Sequence, residues 1–123
     1  MRQIPPGAKG SFTLVAQPEH LANRFKDAAL PPVFATPVMI MVMENAALNA
    51  IKPYLDPRES AVGTEINVRH LAPTVVGSIV TGEARSPKST GGGSTEGDRE
   101  IGTGSHSRAV IDMAKFMRRL GGV

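Results

Sequence analysis

Two ionisable side chains, Glu44 and His70, occupy positions where their sequence neighbours predict an apolar setting. At helical spacing, the residues three, four and seven positions from Glu44 are almost all apolar. They are Pro37, Ile40, Met41, Ala47, Leu48 and Ile51. His70 ends a run from Val62 in which apolar and polar residues alternate, so Val62, Thr64, Ile66 and Val68 share its predicted face. An unpaired charge in apolar surroundings is costly, which suggests that Glu44 has a specific task.

A carboxylate and an imidazole on facing elements would satisfy each other and could also do chemistry. Glu44 could act as a general base toward water or as a carboxylate nucleophile, and His70 could orient it or move a proton. Purely structural roles for the two residues remain open as alternatives. Glu44 could be a buried acid held by the backbone or by an Asn side chain, and His70 could be a hydrogen-bonded histidine at a strand end.

A helix over about residues 37–52 must carry Glu44. Thr36-Pro37 is a good helix start, because threonine can cap the first turn and proline suits the first helical position. Lys52-Pro53 marks the end. Most of the circumference between these points is apolar, so we expect the helix to be buried nearly all round.

The rest of the chain predicts a sheet around that helix and hence an α+β fold. Strands are predicted at 11–16, 62–70, 78–85 and 100–112, with a short helix and loop over 19–32 and a short helix or frayed end after 113. Residues 86–98 have the composition of a flexible Gly/Ser-rich linker, and form either a loop or a weak strand held by main-chain hydrogen bonds. The 123 residues predict one domain, 1–123.

Composition narrows the possible partners. The net charge is +3, but the basic residues are scattered and no aromatic side chains interleave with them, so we expect no nucleic-acid partner. No apolar run has the roughly 18 residues of a membrane span, and the opening six residues lack the apolar core of a secretory signal. The chain has no cysteine. We therefore expect a cytoplasmic protein without disulfides or a cysteine-based metal site.

Six stretches along the chain form a recognisable set of local motifs. They are Pro32–Thr36, Met43-Glu44, Pro53–Leu55, Val62–Thr64, His70 and Ile101–Ile111. Together they resemble the hot-dog-fold acyl-CoA thioesterases of the fluoroacetyl-CoA thioesterase type. The resemblance covers nearly the whole chain, and it keeps the family's spacing of eight residues from Thr36 to Glu44 and 26 from Glu44 to His70.

This resemblance implies a curved antiparallel sheet wrapped around the central helix. It also implies a homodimer whose sheets join edge to edge and whose active sites lie at the subunit interface. Thr36, Glu44 and His70 would carry the catalysis, with Gly63 beside the site and Arg108 near it or near the coenzyme A phosphates. Taken without the resemblance, Thr36 could be no more than a helix cap.

The resemblance also gives the expected reaction, hydrolysis of a short or compact acyl-CoA thioester without a metal or redox cofactor. Leu30 and Phe34 would contact the substrate, and Leu30 stands where fluoroacetyl-specific relatives have an aromatic residue, so we expect a different small acyl group. One alternative is a hot-dog protein that binds acyl-CoA or acyl-carrier thioesters as a sensor, without turnover. Another is an enoyl-CoA hydratase, although the Asp/His motif of those enzymes is not found. His106 is expected to be structural or to support the site.

Overall fold

A computed structural model describes residues 2–86, 92–96 and 99–121. It has five strands and three α-helices, with short 3-10 turns at Pro18–His20 and Lys52–Tyr54. In chain order these are β1 (Ala8–Val15), α1 (Ala22–Phe25), α2 (Thr36–Ile51), β2 (Glu59–His70), β3 (Ile79–Ser86), β4 (Gly92–Glu96), β5 (Arg99–Asp112) and α3 (Met113–Arg119). No helix of these described ranges is long and apolar enough to cross a bilayer.

The strands form one antiparallel sheet in the order β1-β3-β4-β5-β2. Of the two alternatives for the Gly/Ser-rich segment, the structure has the strand, because β4 pairs with β3 on one side and with β5 on the other. Glycine can pair through its main chain without contributing a packed side chain. The rest of that segment, residues 87–91 and 97–98, lies outside the described residues.

Helix α2 is the centre of the hydrophobic core, as its apolar circumference predicts. Met39 and Val42 are fully buried and meet Phe34, Val80 and Ile101 from the surrounding elements. The buried side chains of the helix are Val38, Met39, Val42, Met43, Ala46, Ala50 and Ile51. The helix starts at Thr36 and ends at Ile51, one residue earlier at each end than expected.

Two glycines allow α2 to lie directly on β1 and β3. A Cβ atom on Gly82 would lie 2.8 Å from Cγ1 of Val42, and one on Gly10 would lie 2.7 Å from Cα of Ala50. Contacts this short do not occur between real side chains, so the helix backbone needs glycine at these positions. The helix is thus seated over one half of the sheet. At the other edge, residues 63–67 of β2 are exposed.

A β-bulge overturns part of the alternation predicted for β2. The register of β2 with β5 shifts between Gly63 and Glu65, so Thr64 is an extra residue on this strand. Ile66, Val68 and His70 share one face, as expected. Before the bulge that face continues through Gly63 and not through Val62 or Thr64, because one inserted residue inverts which side chains point to the helix.

Candidate active site

Thr36 and His70 form the first polar contact of the site. Their Oγ1 and Nδ1 atoms are 2.7 Å apart, and the Thr36 hydroxyl donates if Nδ1 carries no proton. The expectation that Thr36 caps α2 is wrong, because the cap position is Ala35 and no side chain caps this end. The threonine side chain instead reaches across to the last residue of β2.

A cavity of about 390 Å³ opens beside this pair. Leu30 and Phe34, both predicted to contact substrate, lie in its wall together with Thr36 and His70. Phe34 is 1% exposed, so most of its ring belongs to the core, whereas Leu30 is 36% exposed. Lys26 also lines the cavity. No sequence pattern predicts a role for Lys26, since its segment has no clear periodicity.

Glu44 lies in a second polar group, formed with Gly63 and Arg108. Its Oε2 is 3.8 Å from Nη1 of Arg108, close enough for charge attraction but too long for a hydrogen bond. Nη2 of Arg108 donates to the carbonyl of Ala61 at 2.7 Å, which anchors the guanidinium. A Cβ atom on Gly63 would lie 2.6 Å from Oε2 of Glu44, so the absence of a side chain there leaves room for the carboxylate.

The expected pairing of Glu44 with His70 does not occur within one chain. The described contacts of His70 include Thr36, and its Nε2 is buried without a hydrogen-bond partner among the described residues. Thr36 and Glu44 are eight residues apart on α2, which at about 1.5 Å per residue separates them by about 12 Å along the axis. Their side chains therefore belong to two separate clusters of one chain. The Glu44 side chain is also 34% exposed, more than an apolar stripe predicts.

Burial favours the neutral form of both inward-facing histidines of this region. For His70, desolvation lowers the pKa below its usual value, with a hydrogen bond involving the backbone of Ala72 acting in the opposite direction. For His106, desolvation again lowers the pKa, the charge of Arg108 lowers it further, and the charge of Glu44 raises it. A neutral imidazole has one N–H to donate and one nitrogen to accept, which suits proton transfer between a hydroxyl and a ligand.

The chain is similar to known thioesterases in both sequence and structure. Residues 16–114 match the model of the family described as fluoroacetyl-CoA-specific thioesterase. The chain is 44% identical over 95 residues to the fluoroacetyl-CoA thioesterase of Streptantibioticus cattleyicolor, covering 72% of this chain and 68% of that protein. A solved structure of a fluoroacetyl-CoA thioesterase superposes with a TM-score of 0.86 at 33% identity, covering 96% of each chain. A Thermus thermophilus member of the thioesterase superfamily gives 0.85 at 31% identity, covering 99% of this chain and 96% of that one.

A helix packed on an antiparallel sheet, together with the likeness to solved thioesterases, defines a hot-dog-fold protein of the thioesterase class. Within that class, the chain belongs to the fluoroacetyl-CoA-specific thioesterase family.

The lowered pKa values of His70 and His106 predict a loss of stability on acidification. In the unfolded chain both imidazoles titrate near the usual value of about 6.5, and in the folded chain they take up protons only at lower pH. As pH falls below about 6.5, the unfolded state binds protons first and the free energy of unfolding decreases. Urea unfolding at a series of pH values measures this slope. His70→Gln should make it shallower between about pH 6.5 and 5, and a slope identical to that of the wild type would contradict the prediction.

Proposed function

We propose that this protein is an acyl-CoA thioesterase that hydrolyses a short or compact acyl-CoA to the free acid and coenzyme A. The observation that carries the proposal is the hydrogen bond between Thr36 and His70 at the wall of a cavity, in a member of a thioesterase family. A hydroxyl and a neutral imidazole beside a cavity can position a thioester and move a proton. The reaction uses side chains and water alone. We place it in the cytoplasm, and neither nucleic acid nor a membrane is part of the proposal.

Glu44 is the group that activates the attack. Acting as a general base, it takes a proton from water while the water oxygen bonds to the thioester carbon. Acting as a nucleophile, it attacks that carbon itself and forms an anhydride that water then hydrolyses. By either route the C–S bond breaks and the coenzyme A thiolate leaves. His70, neutral through its lowered pKa, relays protons through the hydroxyl of Thr36.

The developing oxyanion needs a hydrogen-bond donor, and few backbone N–H groups at the start of α2 are free to donate. Pro37 has no N–H, and the amides of Val38 and Met39 both donate to the carbonyl of Ala35. The amide of Thr36 is therefore the first-turn donor that we assign to the oxyanion, at the positive end of the helix dipole.

We also propose that the protein works as a homodimer whose sites combine residues of both subunits. Two observations support this. The Thr36–His70 pair and Glu44 are too far apart along α2 to act together within one chain. Residues 63–67 of β2 lie exposed at a sheet edge, and such an edge is suited to pairing with a second copy. A two-fold axis at this edge makes the two helices antiparallel, so that the partner subunit's Glu44 faces the Thr36–His70 pair.

An acyl-CoA panel with a free-thiol reagent tests the reaction. We expect catalytic thiol release from at least one compact acyl-CoA. Tight binding without release would favour a sensor, and loss of enoyl-CoA absorbance without thiol release would indicate a hydratase. A wild-type protein that releases no thiol from any acyl-CoA contradicts the proposal.

Replacing Glu44 by Gln should lower kcat by about 100-fold or more, because the amide keeps the shape but can neither accept a proton effectively nor attack the thioester. The melting temperature should change little. Glu83→Gln is the matched control, since that side chain lies exposed on β3, away from the β2 edge proposed for dimer pairing, and should leave kcat unchanged. Full activity in Glu44→Gln would remove Glu44 from the mechanism.

Light scattering in solution checks the dimer. The chain mass is 13.0 kDa, and we expect twice that mass at concentrations at which the protein is active. A 13.0 kDa particle with full thioesterase activity would refute the shared site.

A further inference from the structure

His106 lies next to the Glu44 cluster but has no role in the mechanism above. It precedes Arg108 by two residues on β5, and alternate residues of a strand share a face. Since Arg108 faces Glu44, His106 faces the same side at a spacing of about 7 Å along the strand. Its register partner on β2 is Ile66, which is 40% exposed even though it faces the helix side. His106 thus lies on the part of the sheet that α2 leaves uncovered.

Two buried nitrogens in this region lack hydrogen-bond partners among the described residues. They are Nε2 of His106 and Nε of Arg108. Buried polar atoms are nearly always paired, so each unpaired atom calls for a partner from another side-chain orientation, a water molecule or a ligand. Nη2 of Arg108 donates to the carbonyl of Ala61, and Nη1 comes no closer than 3.8 Å to Oε2 of Glu44. The carboxylate is therefore attracted to Arg108 without being held by a hydrogen bond from it.

The charged groups that face His106 are Glu44 on α2 and Arg108 on its own strand, and the two act oppositely on its pKa. The adjoining part of β2 presents only the uncharged Ile66 and Gly63. Since burial and Arg108 together lower the pKa, His106 is neutral near neutral pH. A neutral imidazole can donate a hydrogen bond to a carboxylate without cancelling its charge, which keeps the carboxylate reactive.

We propose that His106 is a positioning residue for Glu44, whose carboxylate it holds by donating from Nε2, either directly or through one bridging water. The attraction of Arg108 sets where the carboxylate lies, Gly63 leaves the space for it, and His106 fixes its orientation. This assignment rests on the proposed thioesterase function, because it is the attack by or through Glu44 that the orientation serves.

Two substitutions of His106 separate positioning from a purely structural role. His106→Leu keeps an apolar side chain of comparable size without nitrogen, whereas His106→Gln carries an amide N–H near the place of Nε2. We expect His106→Leu to lower kcat by about 100-fold with little change in KM, because misplacing a reacting group costs about that factor. His106→Gln should recover kcat to within a few-fold of wild type. Ser107→Ala, at the exposed neighbouring position, is the control and should change neither constant.

Equal activity of the Leu and Gln variants, whether high or low, would overturn the proposal, because a donor at the Nε2 position would then be irrelevant. A loss confined to KM would overturn it as well. If the wild type releases no thiol from any acyl-CoA, it is the proposed function that fails.

A second measurement needs neither His106 variant to fold. NMR titration of the His106 imidazole in the wild type and in Glu44→Gln reports the coupling directly. Because the carboxylate charge raises the His106 pKa, its removal should move the midpoint to lower pH. An unchanged midpoint would mean that the two side chains do not interact, and would overturn the proposal independently of any activity.

Discussion

The close seating of α2 on β1 and β3 is the constraint on which the other features depend. Gly10 and Gly82 let the helix backbone rest on one half of the sheet, and the apolar side chains that fill the contact are buried there. Burial of this kind is the main favourable term in folding, at about 25 cal/mol per Å² of apolar surface. The other half of the sheet, β5 and β2, is consequently less covered by the helix. Gly63, His106 and Arg108 all face this less covered region.

The two polar clusters of the chain follow from where α2 begins and how long it is. Thr36 at its first residue reaches the end of β2, and Glu44, two turns later, reaches the middle of β2 and β5. A single helix cannot bring its two polar positions together across about 12 Å. Two chains related by a two-fold axis can bring the Thr36–His70 pair of one chain next to Glu44 of the other. Each cluster then completes the other. This is the physical basis of the shared site that we propose.

Most of the fold is predictable from the sequence because Pro37 and Pro53 bound an apolar helical stretch and because apolar and polar residues alternate in β2. The alternation in β2 nevertheless predicts the wrong face for Val62 and Thr64. A β-bulge inserts one residue there, and no change in composition signals it. The prediction that Thr36 caps α2 is wrong for a similar reason. Local sequence favours a capping hydroxyl at a helix start, but the Thr36 hydroxyl instead forms a long-range hydrogen bond with His70. The pairing of Glu44 could not be read from one chain's periodicity, because it depends on where the helix sits on the sheet.

The central claim is that Glu44 of one subunit acts with Thr36 and His70 of the other, and mixed dimers of two inactive variants test it most directly. Glu44→Gln and His70→Gln chains are unfolded together and refolded as a mixture. In a shared site, each mixed dimer has one site with both residues intact, so random pairing should restore about one quarter of wild-type activity. If the mixture stays as inactive as its two parents while mixed dimers form, both residues act within one chain and the account is wrong.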